Sequence, residues 1–589
     1  MVASGRTIGE PRLSPDASTI AFVVTSGGRS ALVLVLATGG PELVVKTEPA
    51  PRSARSDAGG VFDWLPDGSG LVYAAVDGGL WLQPVEGGVA TQVAAPHPEG
   101  GIGAPAVSPD GLRVAFVVDQ HHVAVASLDG SWPVRLSEGN DFALDPAWSP
   151  DGALVAWHEW NVPAMPWDAS RIAVRAADGR GGVETAAGGT GIAVAQPRWS
   201  PEGRLGFLSD ESGWLNVHTT DGPFVAESTE HGPPAWGHGI RTWCWAPTGG
   251  ADVALTSNTD GFGELVVGGE CISRGVHHGL SWRGERLVAI RSGARTPTQL
   301  VVFELESTPP ARVTIARGPV AGWEALDLPE PEVLRWAGDD GTPIKGRLYV
   351  GPSEAGGLAP LVCWIHGGPT SQRQVTFDGR LAWFLDRGWT VLVPDHRGST
   401  GHGRAYAQAM AGRWGELDVA DCAAGVRHVL AEGLADAERV VAMGSSAGGF
   451  TALLLLAHHP ELFAGGVALS AVADIVELGE RSHRFERHYN DSLVGPLPGA
   501  WALQRGRSPL AAAERITAPL LLLHGDADDV VPVEQARALA DRLRTLGRQV
   551  ELHIYEGEGH GWGRPETVID ELTRIERFLA HHVLHVAAP

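Results

Sequence analysis

The first half of the chain alternates short apolar strands with a recurring polar turn. The phrase LSPDASTIAFVV begins at residue 13, comparable phrases begin at residues 64, 107 and 148, and weaker copies begin at residues 199, 245 and 282. In each copy a Pro-Asp-Gly-like turn supplies hairpin backbone angles, and an alternating β-branched and aromatic strand follows. Seven units of about 40–50 residues, each with several short strands, predict a seven-bladed β-propeller.

Tryptophans mark five of these turns. They stand just before the turn, at Trp64, Trp148, Trp199, Trp245 and Trp282. A large ring at the same place in each unit is typical of packing between blades, and we favour that interpretation over an aromatic ligand cage.

From residue 326 the pattern changes to strands that alternate with helical segments, which predicts a mostly parallel sheet with helices on both faces. The predicted strands include residues 361–366, 390–395, 439–443, 519–524 and 550–555. The predicted helices cover residues 381–387, 419–432, 449–459 and 566–582. We therefore expect a propeller at residues 1–325 and a second domain at residues 326–589.

A candidate nucleophile lies between one of these strands and the next helix. Residues 444–448 read GSSAG, which matches G-x-S-x-G. The strand before it and the helix after it are the context of a nucleophile elbow, where glycines allow a tight, strained turn. This context identifies the second domain as an α/β-hydrolase domain with Ser446 as its nucleophile, rather than a Gly/Ser-rich turn without catalytic function.

A serine hydroxyl needs a base, and in this fold an acid and then a histidine follow the nucleophile along the chain. The strand at residues 519–524 leads into Asp526, Asp528 and Asp529, and the strand at residues 550–555 leads into His560. We expect Asp528 to be the acid, with Asp526 and Asp529 as competitors, and His560 to be the base.

A glycine-rich turn after the strand at residues 361–365 is a candidate oxyanion hole. It reads His366-Gly367-Gly368-Pro369. Its backbone N–H groups can stabilise a developing oxyanion together with the N–H of Ala447, the residue after the nucleophile. We favour Gly368 over Gly367 as the donor, and we expect His366 to orient the loop rather than to act as a second base.

Composition and the absence of certain motifs disfavour several classes of partner and cofactor. The formal net charge of −24 disfavours a nucleic-acid or anionic-membrane partner, because phosphate binding requires clustered positive charge. Four scattered cysteines form no CxxC pair, and the chain has no HExxH, dinucleotide-binding or P-loop motif, so we expect free thiols, no metal and no cofactor. Neither a secretory signal nor a membrane span is predicted, which indicates a cytoplasmic protein.

Motifs spread along almost the whole chain resemble the prolyl oligopeptidase family of serine peptidases. Besides the propeller, the matching segments are HGGP, DHRGSTGHGRAY, GRWGELDVADC, GSSAGGF, LLLHGDADDVVP and EGEGHGW. The resemblance is to the acylaminoacyl-peptidase and dipeptidyl-aminopeptidase-like branch, since His366 stands where other branches tend to have a tyrosine. It implies that Ser446 attacks a carbonyl, His560 acts as base and then acid, and Asp528 fixes the imidazole tautomer.

The resemblance also implies a propeller that restricts entry to short peptides. Family members that require a free amino terminus pair it with carboxylates, and the candidates here are Glu159, Asp168 and Glu486, although such a carboxylate is more often solvated or part of a structural ion pair. Phe485 and Tyr489 are candidates for the S1 pocket, where we expect a hydrophobic or aromatic substrate side chain.

These observations predict a serine exopeptidase that acts on short peptides or aminoacyl amides, with a free or an acylated N-terminus. An esterase or amidase acting on an aminoacylated small molecule, such as an amide antibiotic, is the alternative. A binding protein with an inactive hydrolase domain is disfavoured, because all three candidate triad residues are present in order. Edge strands of both domains allow a homo-oligomer.

Overall fold

The computed structural model describes residues 5–53, 59–97, 100–130, 132–250, 252–318, 328–351 and 357–586. They form two compact units. The first unit holds the described residues up to 318 together with residues 374–376, and the second holds residues 328–373 and 377–586. The boundary predicted between residues 325 and 326 lies outside the described residues.

The first unit is a seven-bladed β-propeller, as predicted. Each blade is a four-stranded antiparallel sheet with its strands in chain order. Blades one to four comprise β1 (Thr7–Leu13), β2 (Thr19–Ser26), β3 (Arg29–Leu36), β4 (Leu43–Val44), β5 (Phe62–Trp64), β6 (Gly70–Ala74), β7 (Leu80–Pro84), β8 (Thr91–Ala94), β9 (Ile102–Val107), β10 (Arg113–Val118), β11 (His122–Ser127), β12 (Val134–Arg135), β13 (Phe142–Trp148), β14 (Leu154–Trp160), β15 (Arg171–Ala176) and β16 (Glu184–Gly188). Blades five to seven comprise β17 (Val194–Trp199), β18 (Leu205–Ser209), β19 (Asn216–Thr219), β20 (Gly222–Pro223), β21 (Trp243–Trp245), β22 (Val253–Thr259), β23 (Phe262–Val267), β24 (Glu270–Arg274), β25 (Val276–Arg283), β26 (Arg286–Gly293), β27 (Thr296–Glu304) and β28 (Ala311–Arg317).

The repeated turn closes the hairpin between the first and second strands of a blade. In blade one, the Oγ of Ser14 accepts the N–H of Thr19 at 3.0 Å, and Asp16 accepts the N–H of Ser18 at 3.1 Å. The same pair of bonds recurs at Ser108 with Asp110 and at Ser149 with Asp151. Side chains that bond the backbone locally hold each turn, which explains why this phrase recurs.

The tryptophans before the turns join neighbouring blades. The indole N–H of Trp64 donates to the carbonyl oxygen of Arg12 in the preceding blade at 3.1 Å. Equivalent bonds run from Trp148 to Ala106, from Trp199 to Ala147 and from Trp245 to Arg198. Trp282 instead donates within its own hairpin, to Gly284, but its ring packs against a core cluster that includes Ala254 and Leu265 of blade six. The interpretation as inter-blade packing is thus confirmed for all five tryptophans.

The second unit contains an eight-stranded sheet in the order β29-β30-β32-β31-β33-β34-β35-β36. β29, β30 and β32 pair antiparallel, and the remaining neighbours pair parallel. The strands are β29 (Glu332–Ala337), β30 (Pro343–Tyr349), β31 (Leu361–Ile365), β32 (Thr390–Asp395), β33 (Val440–Ser445), β34 (Gly465–Leu469), β35 (Leu520–Gly525) and β36 (Val550–Tyr555). The central strands are continuous apolar runs because they are covered on both faces.

Ten helices are described in this unit: α1 (Gly379–Asp386), α2 (Arg404–Gln408), α3 (Leu417–Ala431), α4 (Ala447–His458), α5 (Ile475–Arg481), α6 (Tyr489–Leu493), α7 (Trp501–Arg507), α8 (Pro509–Ala512), α9 (Val533–Thr545) and α10 (Pro565–His582). Arg380 of α1 and Glu571 of α10 form a bidentate ion pair that joins these two helices. None of the described helices is both long and apolar enough to cross a membrane. The predicted α/β-hydrolase fold is confirmed.

Candidate active site

Ser446 lies at the turn between β33 and α4, at the carboxyl end of a central parallel strand. Its φ of 55° and ψ of −123° are unfavourable for a residue with a side chain. The turn also places Ser446 directly before the first residue of α4, where the helix dipole is positive. The described backbone is therefore that of a strained nucleophile elbow.

Two glycines permit this turn by allowing backbones to approach closely. A Cβ on Gly444 would lie 2.2 Å from the carbonyl oxygen of Gly448. A Cβ on Gly448 would lie 2.3 Å from the carbonyl oxygen of Ile365. Both positions exclude any larger residue, which is the physical reason for the G-x-S-x-G pattern here.

Asp528 and His560 are hydrogen-bonded to each other. The Nδ1 of His560 lies 2.8 Å from Oδ2 and 3.0 Å from Oδ1 of Asp528, whose side chain is fully buried. Burial opposes the charge on Asp528, but hydrogen bonds from His524 and His560 outweigh it and hold the pKa of this carboxyl well below its usual range. A charged Asp528 requires the proton of His560 on Nδ1, which leaves Nε2 free to accept a proton.

The competing acids are placed differently. The Oδ1 of Asp526 accepts the backbone N–H of Gly557 at 2.6 Å. Within the described part of the chain, no hydrogen bond joins Asp526 or Asp529 to His560. The geometry thus favours Asp528 among the three aspartates. Ser446, Asp528 and His560 follow β33, β35 and β36, whose carboxyl ends lie at one edge of the sheet.

The predicted oxyanion loop lies beside Ser446. A Cβ built on Gly367 would lie 3.6 Å from the Cβ of Ser446. His366 donates from Nδ1 to the carbonyl oxygen of Gly367 at 2.8 Å, and its Nε2 accepts the hydroxyl of Ser399 at 2.7 Å. Since a trans peptide directs its C=O and N–H to opposite sides, this bond directs the N–H of Gly368 away from the His366 ring.

His366 is suited to orienting the loop rather than to base catalysis. Burial, assisted by repulsion from the stacked ring of His396, lowers the pKa of His366 to about 3. The imidazole therefore stays neutral and keeps the proton on Nδ1 that holds Gly367.

A pocket that is partly open to solvent adjoins Ser446. Gly368, Pro369 and Ala447 line it together with Ser446. Its apolar wall consists of Trp414, Val472, Leu478, Leu493, Val530 and Val531. The pocket therefore borders the nucleophile and both candidate oxyanion donors, and its apolar wall suits an apolar side chain of a substrate.

The acidic side chain in this pocket is Glu486, which lies there with Asn490 and Tyr489. The carboxylate of Glu486 is 17% exposed and lies 3.3 Å from Nε2 of His483. Tyr489 donates its hydroxyl proton to Oγ1 of Thr370 at 2.5 Å and accepts the backbone N–H of Thr370 at 3.0 Å. The hydroxyl of Tyr489 is thus fixed, so its ring forms a rigid part of the pocket wall.

Three other predicted substrate residues are not among those lining this pocket. Glu159 is buried in blade four, where its carboxylate accepts Nε1–H of Trp157 at 2.6 Å and pairs with Arg171 at 2.7 Å. Both oxygens are engaged inside the propeller, which favours a structural ion pair over a ligand for a substrate amine. Asp168, also in the propeller, accepts the N–H of Met165 at 3.2 Å, and Phe485 is buried at 5% exposure beside His483.

No group of three or more His, Cys, Asp or Glu side chains that could hold a metal ion occurs in the part of the chain that the structure describes. Sequence analysis missed Trp414 and the pair Val530 and Val531 as pocket residues. Trp414 stands in the segment GRWGELDVADC, and the two valines directly follow the acid loop, but their contacts depend on long-range packing.

Residues 375–585 match the sequence model of the prolyl oligopeptidase family. This chain carries a prolyl oligopeptidase family domain. The resemblance of this part of the chain to that family is confirmed. A solved puromycin hydrolase is 28% identical, with a TM-score of 0.88, and the match covers 99% of this chain and 96% of that one.

Two curated relatives match part of this chain. Human acylamino-acid-releasing enzyme is 30% identical over 43% of this chain and 35% of its own length. Dipeptidyl aminopeptidase BIII of Pseudoxanthomonas mexicana is 29% identical over 35% of this chain and 31% of its own length. The chain thus matches about a third of the length of these relatives.

Proposed function

We propose that this protein is a serine exopeptidase that hydrolyses short peptides or aminoacyl amides next to their N-terminus. The observation that carries the proposal is the Ser446 elbow, placed with Gly368 and Ala447 on a pocket that holds one carboxylate, Glu486. A cytoplasmic location, homo-oligomeric assembly and domain limits of 1–325 and 326–589 stay predictions.

The proposed reaction starts with attack of Ser446 Oγ on the carbonyl carbon, while Nε2 of His560 takes the hydroxyl proton. The N–H groups of Ala447 and Gly368 stabilise the oxyanion of the tetrahedral intermediate. His560 then gives its proton to the leaving amine, and an acyl-enzyme remains on Ser446. Water, deprotonated by His560, attacks the acyl-enzyme. The bond between the acyl carbon and Oγ of Ser446 then breaks, His560 returns its proton to Oγ, and the acid is released.

Glu486 supports a free rather than an acylated amino terminus. An ammonium group that enters an apolar pocket requires a carboxylate to offset its desolvation. An acyl cap carries no charge and would add no charged partner to Glu486, whose carboxylate lies beside His483. We therefore favour aminopeptidase activity over acylaminoacyl-peptidase activity.

The alternative substrate is an aminoacylated small molecule. The similarity to puromycin hydrolase over nearly the whole of both chains favours it, since puromycin is itself an aminoacyl amide. Both proposals use the same triad and the same pocket, so only a comparison of substrates separates them.

The test is hydrolysis of paired p-nitroanilides, each amino acid offered with a free and an N-acetylated amine, and of puromycin. Wild type should cleave the free-amine set, and Ser446→Ala should be inactive. Glu486→Gln should lower kcat/KM for free amines by roughly 30-fold or more, as expected for loss of one partner of a buried charge pair, and leave acetylated substrates unaffected. Glu477→Gln is the matched control, because Glu477 pairs with Arg481 on α5 and is not among the pocket residues.

Faster cleavage of the acetylated set would contradict the assignment of Glu486. Activity that survives in Ser446→Ala would contradict the mechanism.

A further inference from the structure

A second histidine lies against the acid of the proposed triad. His524 is in β35, four residues before Asp528, and is 1% exposed. Its Nε2 lies 2.9 Å from the carbonyl oxygen of Val531 and 3.4 Å from Oδ2 of Asp528. Both neighbours are hydrogen-bond acceptors, so Nε2 carries the proton and is shared between them.

These contacts close a ring of hydrogen bonds around the acid loop. The Oδ1 of Asp528 accepts the N–H groups of Val530 at 3.0 Å and Val531 at 2.8 Å. The carbonyl group of Val531 in turn accepts the proton of His524. The carboxylate of Asp528 therefore holds the backbone of its own loop, and His524 in the preceding strand contacts both that carboxylate and that backbone.

The charged groups around Asp528 are few. In the described residues, the titratable side chains within ion-pair distance of its carboxylate are His524 from β35 and His560 from the loop after β36. Asp526, an acid on the same loop, accepts a hydrogen bond from the backbone N–H of Gly557. The orientation of Asp528 toward His560 thus depends on the backbone of its own loop and on His524.

We propose that His524 is a positioning residue, whose Nε2–H fixes the Asp528–Val531 turn and directs Oδ2 of Asp528 to His560. The inference rests on the proposed function, because it assigns His524 a role in that triad. Val530 and Val531 also line the pocket beside Ser446, so the same hydrogen bond fixes part of the pocket wall. A buried imidazole N–H needs one acceptor, which Val531 supplies, and the second contact is what links His524 to Asp528.

The experiment compares His524→Leu with His524→Gln. Leucine removes the donor, whereas the side-chain amide of glutamine can place an N–H near the position of Nε2. The matched control is His158→Leu, since His158 is fully buried in the propeller and its ring nitrogens have no hydrogen-bond partner among the described residues. Kinetics are measured with the best p-nitroanilide, and the active fraction is titrated with a fluorophosphonate.

In His524→Leu, kcat per titrated site should fall roughly 10- to 150-fold, the effect of about one hydrogen bond to a charged group. The acid limb of the kcat/KM profile should also move to lower pH, because an Asp528 that is no longer directed to His560 stabilises the protonated imidazole less. His524→Gln should restore most of kcat and the wild-type position of the limb. His158→Leu should change neither quantity.

A His524→Leu enzyme with wild-type kcat per site and an unmoved acid limb would overturn the inference. If the leucine variant does not fold, the far-downfield proton resonance of the His560–Asp528 bond in His524→Gln decides: a wild-type position supports the inference, and loss of the resonance overturns it. Failure of the proposed function gives a different result, because the wild-type enzyme itself would then neither react with the fluorophosphonate nor hydrolyse the p-nitroanilide.

Discussion

Replacing Ser446 with glycine should stabilise the protein relative to alanine, although both changes abolish hydrolysis. At φ 55° and ψ −123° any residue with a Cβ is strained, at a cost of about 1–3 kcal/mol. Alanine retains this strain and glycine releases it. Glycine also gives the unfolded chain more freedom, which costs about 0.5–1 kcal/mol.

The expected balance is about 0.5–2 kcal/mol in favour of Ser446→Gly. For a domain of this size, 1 kcal/mol corresponds to about 2–4 °C in Tm. The assay is thermal unfolding of Ser446→Gly and Ser446→Ala side by side, each confirmed inactive on a p-nitroanilide.

Ser445 provides the control, because it lies in β33 with an ordinary extended backbone. There glycine should be less stable than alanine, as in any strand. The reasoning about stored strain is refuted if Ser446→Gly melts at or below the temperature of Ser446→Ala.

Three further changes test separate parts of the site. Asp528→Asn should lower kcat roughly 10³- to 10⁴-fold with little change in KM, because the amide favours the wrong tautomer of His560; stopped assays with excess p-nitroanilide measure it, and a fall below tenfold would contradict the role of Asp528. Gly448→Ala should abolish fluorophosphonate labelling, because the added Cβ would lie 2.3 Å from a carbonyl oxygen; normal labelling would contradict the described elbow. Burial opposes the charge of Asp395, but the ion pair with Arg347 outweighs burial and lowers the pKa of Asp395. The stabilisation of the fold by this pair is therefore complete above about pH 5 and is lost as pH falls. Asp395→Asn should cost about 3–5 kcal/mol near neutral pH and flatten the acid side of the stability profile in denaturant titrations, and an unchanged slope would count against this pair.

Local patterns predicted the elements well. The turn phrase and its tryptophans located all seven blades, because each copy carries its own hairpin chemistry and a side chain for the neighbouring blade. β32 and β36 match the predicted strands, and α4 begins at Ala447, two residues before the predicted start. The difference arises because Gly448 already belongs to the helix, which the weak helix propensity of glycine does not reveal.

Side-chain partners were harder to predict. Glu159 pairs with Arg171 twelve residues away and with a tryptophan on its own strand, and a sequence gives no measure of that burial. Glu486 was one candidate among three, and only packing places it beside Ser446. His524 was visible in the segment LLLHGDADDVVP, yet its bond to Val531 depends on how the loop folds back onto β35.

The most direct test of the account is to map the site of fluorophosphonate modification by mass spectrometry of proteolytic fragments. The account predicts one adduct per chain, on Ser446, with no labelling of Ser446→Ala and with loss of peptidase activity in proportion to labelling. An adduct on another serine, or full activity in the labelled protein, would contradict it.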